Sequence, residues 1–298
     1  MKLRRKIAST DFTENMMPHT RKEVFFDVWK MHWFDLLKLG FILLIAFVPI
    51  LMMTVTKDAY EAKLMAEIGV DASQEILQEI QISTLMFRST SAFIQVPLYM
   101  LFAIVLSGTL RLVRQYAWEE VVFFGRDLWI GIKQNWKQTI GLAFLLGLQN
   151  AIGQYLNAMG TITQDLALKI AGGVFGGVTW LICFPIYAYI LIGISIYSNT
   201  FMQNFKVAFA LYAKAPLKTL LILISLIAVF LISLLPQFVC HMIGQVAGLL
   251  LLPILLLIWF LFTSAQLDKH INPIYFPELL DRGLYQVKTE NEKEDLCD

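Results

Sequence analysis

Six apolar runs divide the chain: residues 39–55, 93–110, 139–159, 170–197, 219–239 and 246–267. Each can cross a hydrocarbon core of about 30 Å as an α-helix, the first only just. Three of the runs follow an amphipathic segment. In residues 21–38, helical spacing puts Phe25, Phe26, Trp29, Trp33, Leu36 and Leu37 on one face, with Glu23, Asp27, Lys30 and Lys38 on the other. In residues 125–138, Leu128, Trp129, Ile132 and Trp136 share an arc; Arg126, Lys133 and Lys137 share another, with Asp127, Gln134 and Gln138 beside them. In residues 199–218, Phe201, Met202, Phe205, Phe209 and Tyr212 lie opposite Lys206 and Lys214. Tryptophan or phenylalanine on one side and cations on the other suit a helix at the boundary between water and lipid. The pattern predicts an all-α polytopic membrane protein with six transmembrane helices. Interfacial helices are expected before the first, third and fifth spans. It also suggests a tandem repeat of one interfacial helix and two spans, with residues 127–139 and 207–219 laid together at an offset of 80.

Between the first two runs, residues 56–88 are acidic and carry helical spacing, which predicts one or two short helices outside the bilayer. Residues 1–285 form a single expected domain, and 286–298 an acidic tail of disordered composition. The apolar stretch does not follow the basic MKLRRK start directly, so no cleaved leader is expected.

Composition agrees with membrane burial. Hydrophobic residues make up 57% and charged residues 16%, against about 25% in soluble domains. A net charge of +1 gives no case for nucleic acid as a partner. The placement of the charge is more informative. With the N-terminus inside, 20 of the 24 Lys and Arg residues fall on cytoplasmic segments. This predicts a plasma-membrane protein with both termini cytoplasmic. No run carries Asp, Glu, Lys or Arg in its centre, which argues against a proton-coupled pump or a channel with charged rings.

Candidate chemistry is sparse. Four histidines lie far apart, and Cys183, Cys240 and Cys297 have neither metal-ligand spacing nor a disulfide framework. HExxH, GxSxG and phosphate-loop motifs are absent. No enzyme, metal or cofactor is therefore expected. Glu119 and Gly125 have the spacing of the loop that docks bacterial permeases on their ATPase, but Glu120 and Val121 replace its two alanines and the match carries no weight. The third run holds a polar cluster, Gln149, Asn150, Gln154 and Asn157, the last three at i, i+4 and i+7. Amides in a bilayer must find partners within the protein. They either pair helices, at about 0.6 kcal/mol each, or line a pocket for a neutral solute such as a sugar, with Tyr155, Trp180 and Tyr187 as stacking faces. Gly172-Gly173 and Gly176-Gly177 favour close approach of another helix. A second candidate site is the cationic and aromatic surface of Arg126, Trp129, Lys133, Asn135, Trp136 and Lys137, together with Lys206 and Lys214. It suits contact with membrane lipids or with a protein partner.

Three stretches resemble the YesL family of bacterial membrane proteins, whose biochemical function is not established. Residues 107–138 are similar to its first connector, through Val113-Arg114, Glu119-Glu120 and Lys133 to Gln138. Residues 199–218 resemble its second aromatic and basic connector. Residues 268–285, DKHINPIYFPELLDRGLY, resemble its closing segment. The chain departs from the family in its N-terminus and in the long 56–88 segment. The resemblance implies a non-enzymatic accessory of a carbohydrate ABC importer, in contact with the permease or ATPase subunits. The alternative is an independent transporter that uses the amides of the third span.

Overall fold

The structure is a computed structural model, described here over residues 17–66, 73–230 and 238–285. The expected acidic tail, 286–298, and the start of the chain lie outside these residues. The elements are α1 (Arg21–Ala66), α2 (Gln74–Ala117), α3 (Phe124–Ile162), α4 (Leu166–Val178), a π turn (Thr179–Cys183), α5 (Phe184–Ile196), α6 (Phe201–Lys214), α7 (Pro216–Ile227), α8 (Phe238–His270) and the short α9 (Asn272–Tyr275). No strand occurs among the described residues, as the helical periodicity requires.

Among the described residues, four helices are long and apolar enough to cross a membrane: α1, α2, the continuous α4–α5 unit and α8. These contain the first, second, fourth and sixth runs. α3 contains the third but falls outside this group, because its four amides lower its mean hydropathy. The fifth run begins in α7, and its outer part, 231–237, lies outside the described residues. α6 and α7 pass the same length and apolarity test only as a pair, with a bend of 100° between them.

The bend has a local cause. Ala215 precedes Pro216 and takes a non-helical conformation (φ −147°, ψ 57°), as the proline ring demands of its neighbour. Pro216 then starts α7 at its first turn, where its missing N–H costs nothing. At the offset of 80, Pro216 corresponds to Trp136, so the equivalent part of α3 runs straight into its apolar half. The same is true of α1. Two of the three amphipathic segments are thus the first turns of long helices, and only the third is a separate helix. Residues 56–88 also differ from expectation. Their described parts, 56–66 and 74–88, prolong α1 and α2 instead of forming short helices, and the Tyr60 and Phe87 rings and a Glu61–Arg88 ion pair tie the two extensions together.

The core lies toward the end of the bundle that carries Arg21, Arg111, Arg114 and Arg282, called here the basic end. Leu36 and Leu39 of α1, Leu110 and Leu112 of α2, Ile190 and Ile192 of α5, and Leu257 and Phe260 of α8 are fully buried there. α2 and α3 form the most extensive interface. They cross where Gly131 meets Gly108: a Cβ on Gly131 would stand 2.7 Å from the Arg111 Cβ and 3.0 Å from the Gly108 Cα. Of the four glycines in α4, Gly172 fulfils the expected close approach, lying against Asn157 of α3, while Gly173, Gly176 and Gly177 have open space around their would-be Cβ positions.

Replacing Gly131 with Ala should therefore force the α2–α3 crossing apart, at a cost of about 1–3 kcal/mol. Gly141→Ala, where nothing lies within 4 Å, should be neutral or slightly stabilising. Thermal unfolding of the purified variants in detergent measures both. Equal transitions for the two would refute this packing.

Candidate functional site

The basic end is held by two linked polar chains. In the first, Arg21 of α1 pairs with Asp268 of α8 at 2.5 Å. Asp268 Oδ1 accepts from Asn272 Nδ2 at 2.7 Å, and Asn272 Oδ1 accepts from the Tyr197 hydroxyl at the end of α5. Tyr197 and Asn272 are both buried. In the second, Glu120 stands between two arginines, with Arg282 Nη2 at 2.9 Å and Arg114 Nη2 at 3.8 Å. Both guanidiniums also lie over the Trp118 ring, Arg282 at 4.4 Å and Arg114 at 5.1 Å. Arg114 also donates to the Ser195 carbonyl at 2.5 Å. Arg21 joins the two chains by donating to the Arg282 carbonyl at 2.7 Å. Gly283 allows this arrangement: its φ is +81°, and the Ala117 carbonyl would stand 2.4 Å from a Cβ.

α3 enters beside this network. Arg111 donates to Gln134 at 2.7 Å and lies 3.7 Å from Asp127, which also accepts from the Phe123 N–H one turn back. Gln138 donates to the Asn199 carbonyl at 2.9 Å and accepts from Asn204 of α6 at 3.2 Å. α6 runs back along α5, with Asn204 against Gly193 and the Tyr212 hydroxyl donating to the Leu181 carbonyl at 2.6 Å.

The arc expected to hold Leu128, Trp129, Ile132 and Trp136 is divided in the bundle, with Leu128 and Ile132 turned to α2 and the tryptophans turned outward. Asp127, assigned to the polar side, is 7% exposed, while Trp129 and Trp136 are 57% and 40% exposed. Leu128, Ile132, Gly131 and Asp127 face α2, and the tryptophans face outward. Lys133 lies over the Trp129 ring at 5.6 Å, and Lys137 over Trp136 at 5.8 Å. Cation and aromatic thus share the outer surface instead of dividing it. Asn135 is half-buried at the edge of this surface. α6 behaves alike: Asn204, Ala208 and Leu211 are buried, while Met202 and Phe209 face out with Lys206 and Lys214. Among the described residues, Arg126, Lys133, Lys137, Lys206 and Lys214 are all exposed and make no ion pair.

The four amides of α3 are not brought into one pocket. Gln149 donates to Cys183 of the π turn at 3.8 Å. Asn150 lines a cavity of about 450 Å³, together with Trp180 and Tyr187. Gln154 and Asn157 line a cleft of about 170 Å³ near the far end, with Arg88 and Ser89. Tyr155 packs on Phe93 outside both. Asn150, Gln154 and Asn157 do share one face, as their spacing requires, and that face runs from the cavity to the cleft. Among the described residues, no three His, Cys, Asp or Glu side chains come together as metal ligands.

The arginine–carboxylate links escaped the sequence reading because they join residues as much as 247 positions apart. The available signal was the bordering of apolar runs by Arg111, Arg114 and Asp268 at the ends assigned to the cytoplasm. Comparison with models of known families, with curated proteins and with solved structures finds no significant match.

Tyr197→Phe should remove the donor to the buried Asn272 and lower stability by about 1–3 kcal/mol, seen as an earlier unfolding transition. Ser198→Ala, at an exposed neighbouring position, should leave the transition unchanged.

Proposed function

We propose that this chain is a six-span protein of the bacterial plasma membrane, similar to the YesL family, and that it acts without catalysis as an accessory to a carbohydrate ABC importer. In this reading α3 is the third span despite its amides, and α7 opens the fifth. The basic end is cytoplasmic, as the weight of Lys and Arg on its segments supports. The observation that carries the reading is convergence. The three stretches that resemble the family are far apart in the chain, yet each touches another at the basic end: Arg114 and Glu120 of the first meet Arg282 of the third, which Arg21 joins to Asp268 and Asn272, and Gln138 of the first meets Asn199 and Asn204 of the second in a separate cluster. Their internal charges are largely spent on one another. Their outer surface keeps Arg126, Lys133, Lys137, Lys206 and Lys214 available to a carboxylate-bearing subunit. Anionic headgroups are the competing partner, at about 1 kcal/mol per cation.

The two partners respond differently to substitution. A docking surface depends on geometry, whereas lipid attraction depends on charge alone. Reversing Arg126, Lys133 and Lys137 together to Glu should leave insertion intact and abolish co-purification of an importer permease or ATPase subunit in mild detergent. Exchanging Lys133 and Lys137 for Arg should weaken that co-purification without altering insertion. Retention of every wild-type partner by the Glu variant would end the docking reading.

The transporter alternative is favoured by one observation, the shared face of Asn150, Gln154 and Asn157 between cavity and cleft. Replacing all three with Leu should alter stability and leave uptake unaffected once expression is normalised. Loss of uptake in a well-folded variant would support the transporter instead.

A further inference from the structure

The cavity between α2, α3, α5, α7 and α8 has a chemistry that neither docking nor sugar binding uses. Its volume is about 450 Å³, within the range of sites that hold whole ligands. Among the described residues, its lining holds no charged side chain and one amide, Asn150. Three further polar groups on the wall bond within the protein, the Tyr99 hydroxyl among them, to Gln95. Thr139 donates to the Asn135 carbonyl at 2.7 Å, and the Trp259 indole donates to the Ala188 carbonyl at 2.9 Å. A sugar presents many hydroxyls, and one amide cannot satisfy them. The shape is also unlike that of a compact solute. The wall follows α3 from Thr139 to Asn150, about 16 Å at 1.5 Å per residue.

The cavity has a mouth. Its most exposed lining residues are Trp180 on the π turn and Ile227 of α7. Leu181 and Ile182 on one side, and Leu221 and Ile224 on the other, are apolar and exposed, so the opening faces the surroundings of the bundle's apolar zone. The π turn holds this rim in place: Tyr212 takes up the Leu181 carbonyl and Gln149 reaches Cys183. Such single π turns often occur at functional sites.

We propose that this cavity holds the acyl chain of one membrane phospholipid, which enters between the π turn and α7 and lies along α3. The site uses residues separate from the cationic surface, so its failure leaves the docking reading untouched. The test places the full-length protein in nanodiscs of phosphatidylglycerol and phosphatidylethanolamine, with a trace of phosphatidylethanolamine carrying a diazirine on its acyl chain. After illumination, peptide mapping should find intact phospholipid adducts on α3 residues 139–150 and α5 residues 184–191. Lipid-facing residues near Phe41 and Ile45 serve as the reference for general contact. Ala143→Phe and Leu226→Trp fill the cavity from opposite walls. Each should lose the adducts on the α3 and α5 peptides while keeping the reference label and a cooperative thermal transition. If one of them fails to fold, the other serves alone. Absence of label on the lining peptides of the wild type would overturn the proposal. So would unchanged label in a folded filling variant, or adducts with the mass of a free fatty acid.

Discussion

Charged side chains at the boundary of an apolar bundle must be paired, and this constraint organises the basic end. Arg21, Arg114 and Asp268 are each largely shielded from solvent, and each has a hydrogen-bonded or charged partner on another element. Removing one partner of such a pair strands the other in a poor dielectric. The network therefore fixes which helix ends lie together. It binds the start of α1 to the end of α8, the end of α2 to the end of α5, and the closing segment around Arg282 to both. The backbone follows: the Tyr285 N–H donates to the Pro18 carbonyl at 2.8 Å, so the two ends of the described chain are zipped to each other.

The packing farther along the bundle relies less on polarity and more on surface shape. Small residues let α2 and α3 approach at Gly108 and Gly131, and α3 and α4 at Gly172. In α7, Thr219 and Leu223 are the buried residues. Its hold is the Tyr189–Thr219 hydroxyl pair at 2.8 Å and the cavity wall. A loosely held wall beside an open mouth is what a site for an entering chain needs, whereas the tightly bonded basic end suits a fixed surface. The two proposed activities thus occupy regions of opposite mechanical character.

The class of the fold was legible in the six apolar runs, and four of them became helices of spanning length and apolarity. The orientation of helix faces was not. Periodicity placed Trp129 with Ile132 and Asp127 with Lys133, because it weighs hydrophobicity alone. In the bundle Gly131 and Asp127 fit against α2 together with Leu128 and Ile132, and the indole rings do not. In α6, Asn204, Ala208 and Leu211 turn inward while Met202 and Phe209 face out. The exposed cations were legible as candidates, since any surface helix must present them. The arginine network was not, because nothing local links Arg21 to Asp268 or Arg114 to Ser195. The bend at Pro216 could have been read from the residue itself, but the apparent repeat with α3 concealed it.

We propose that the surface carrying Lys133, Lys137, Lys206 and Lys214 faces the cytoplasm and meets an importer subunit. Amine cross-linking in intact cells, followed by mass spectrometry, tests it most directly. The expected result is cross-links from these four lysines to a single permease or ATPase subunit, with none to that subunit from Lys57 or Lys63 at the opposite end. Links from Lys57 and Lys63 to the same subunit, or no protein links from the four while the protein is at its normal level, would contradict the account.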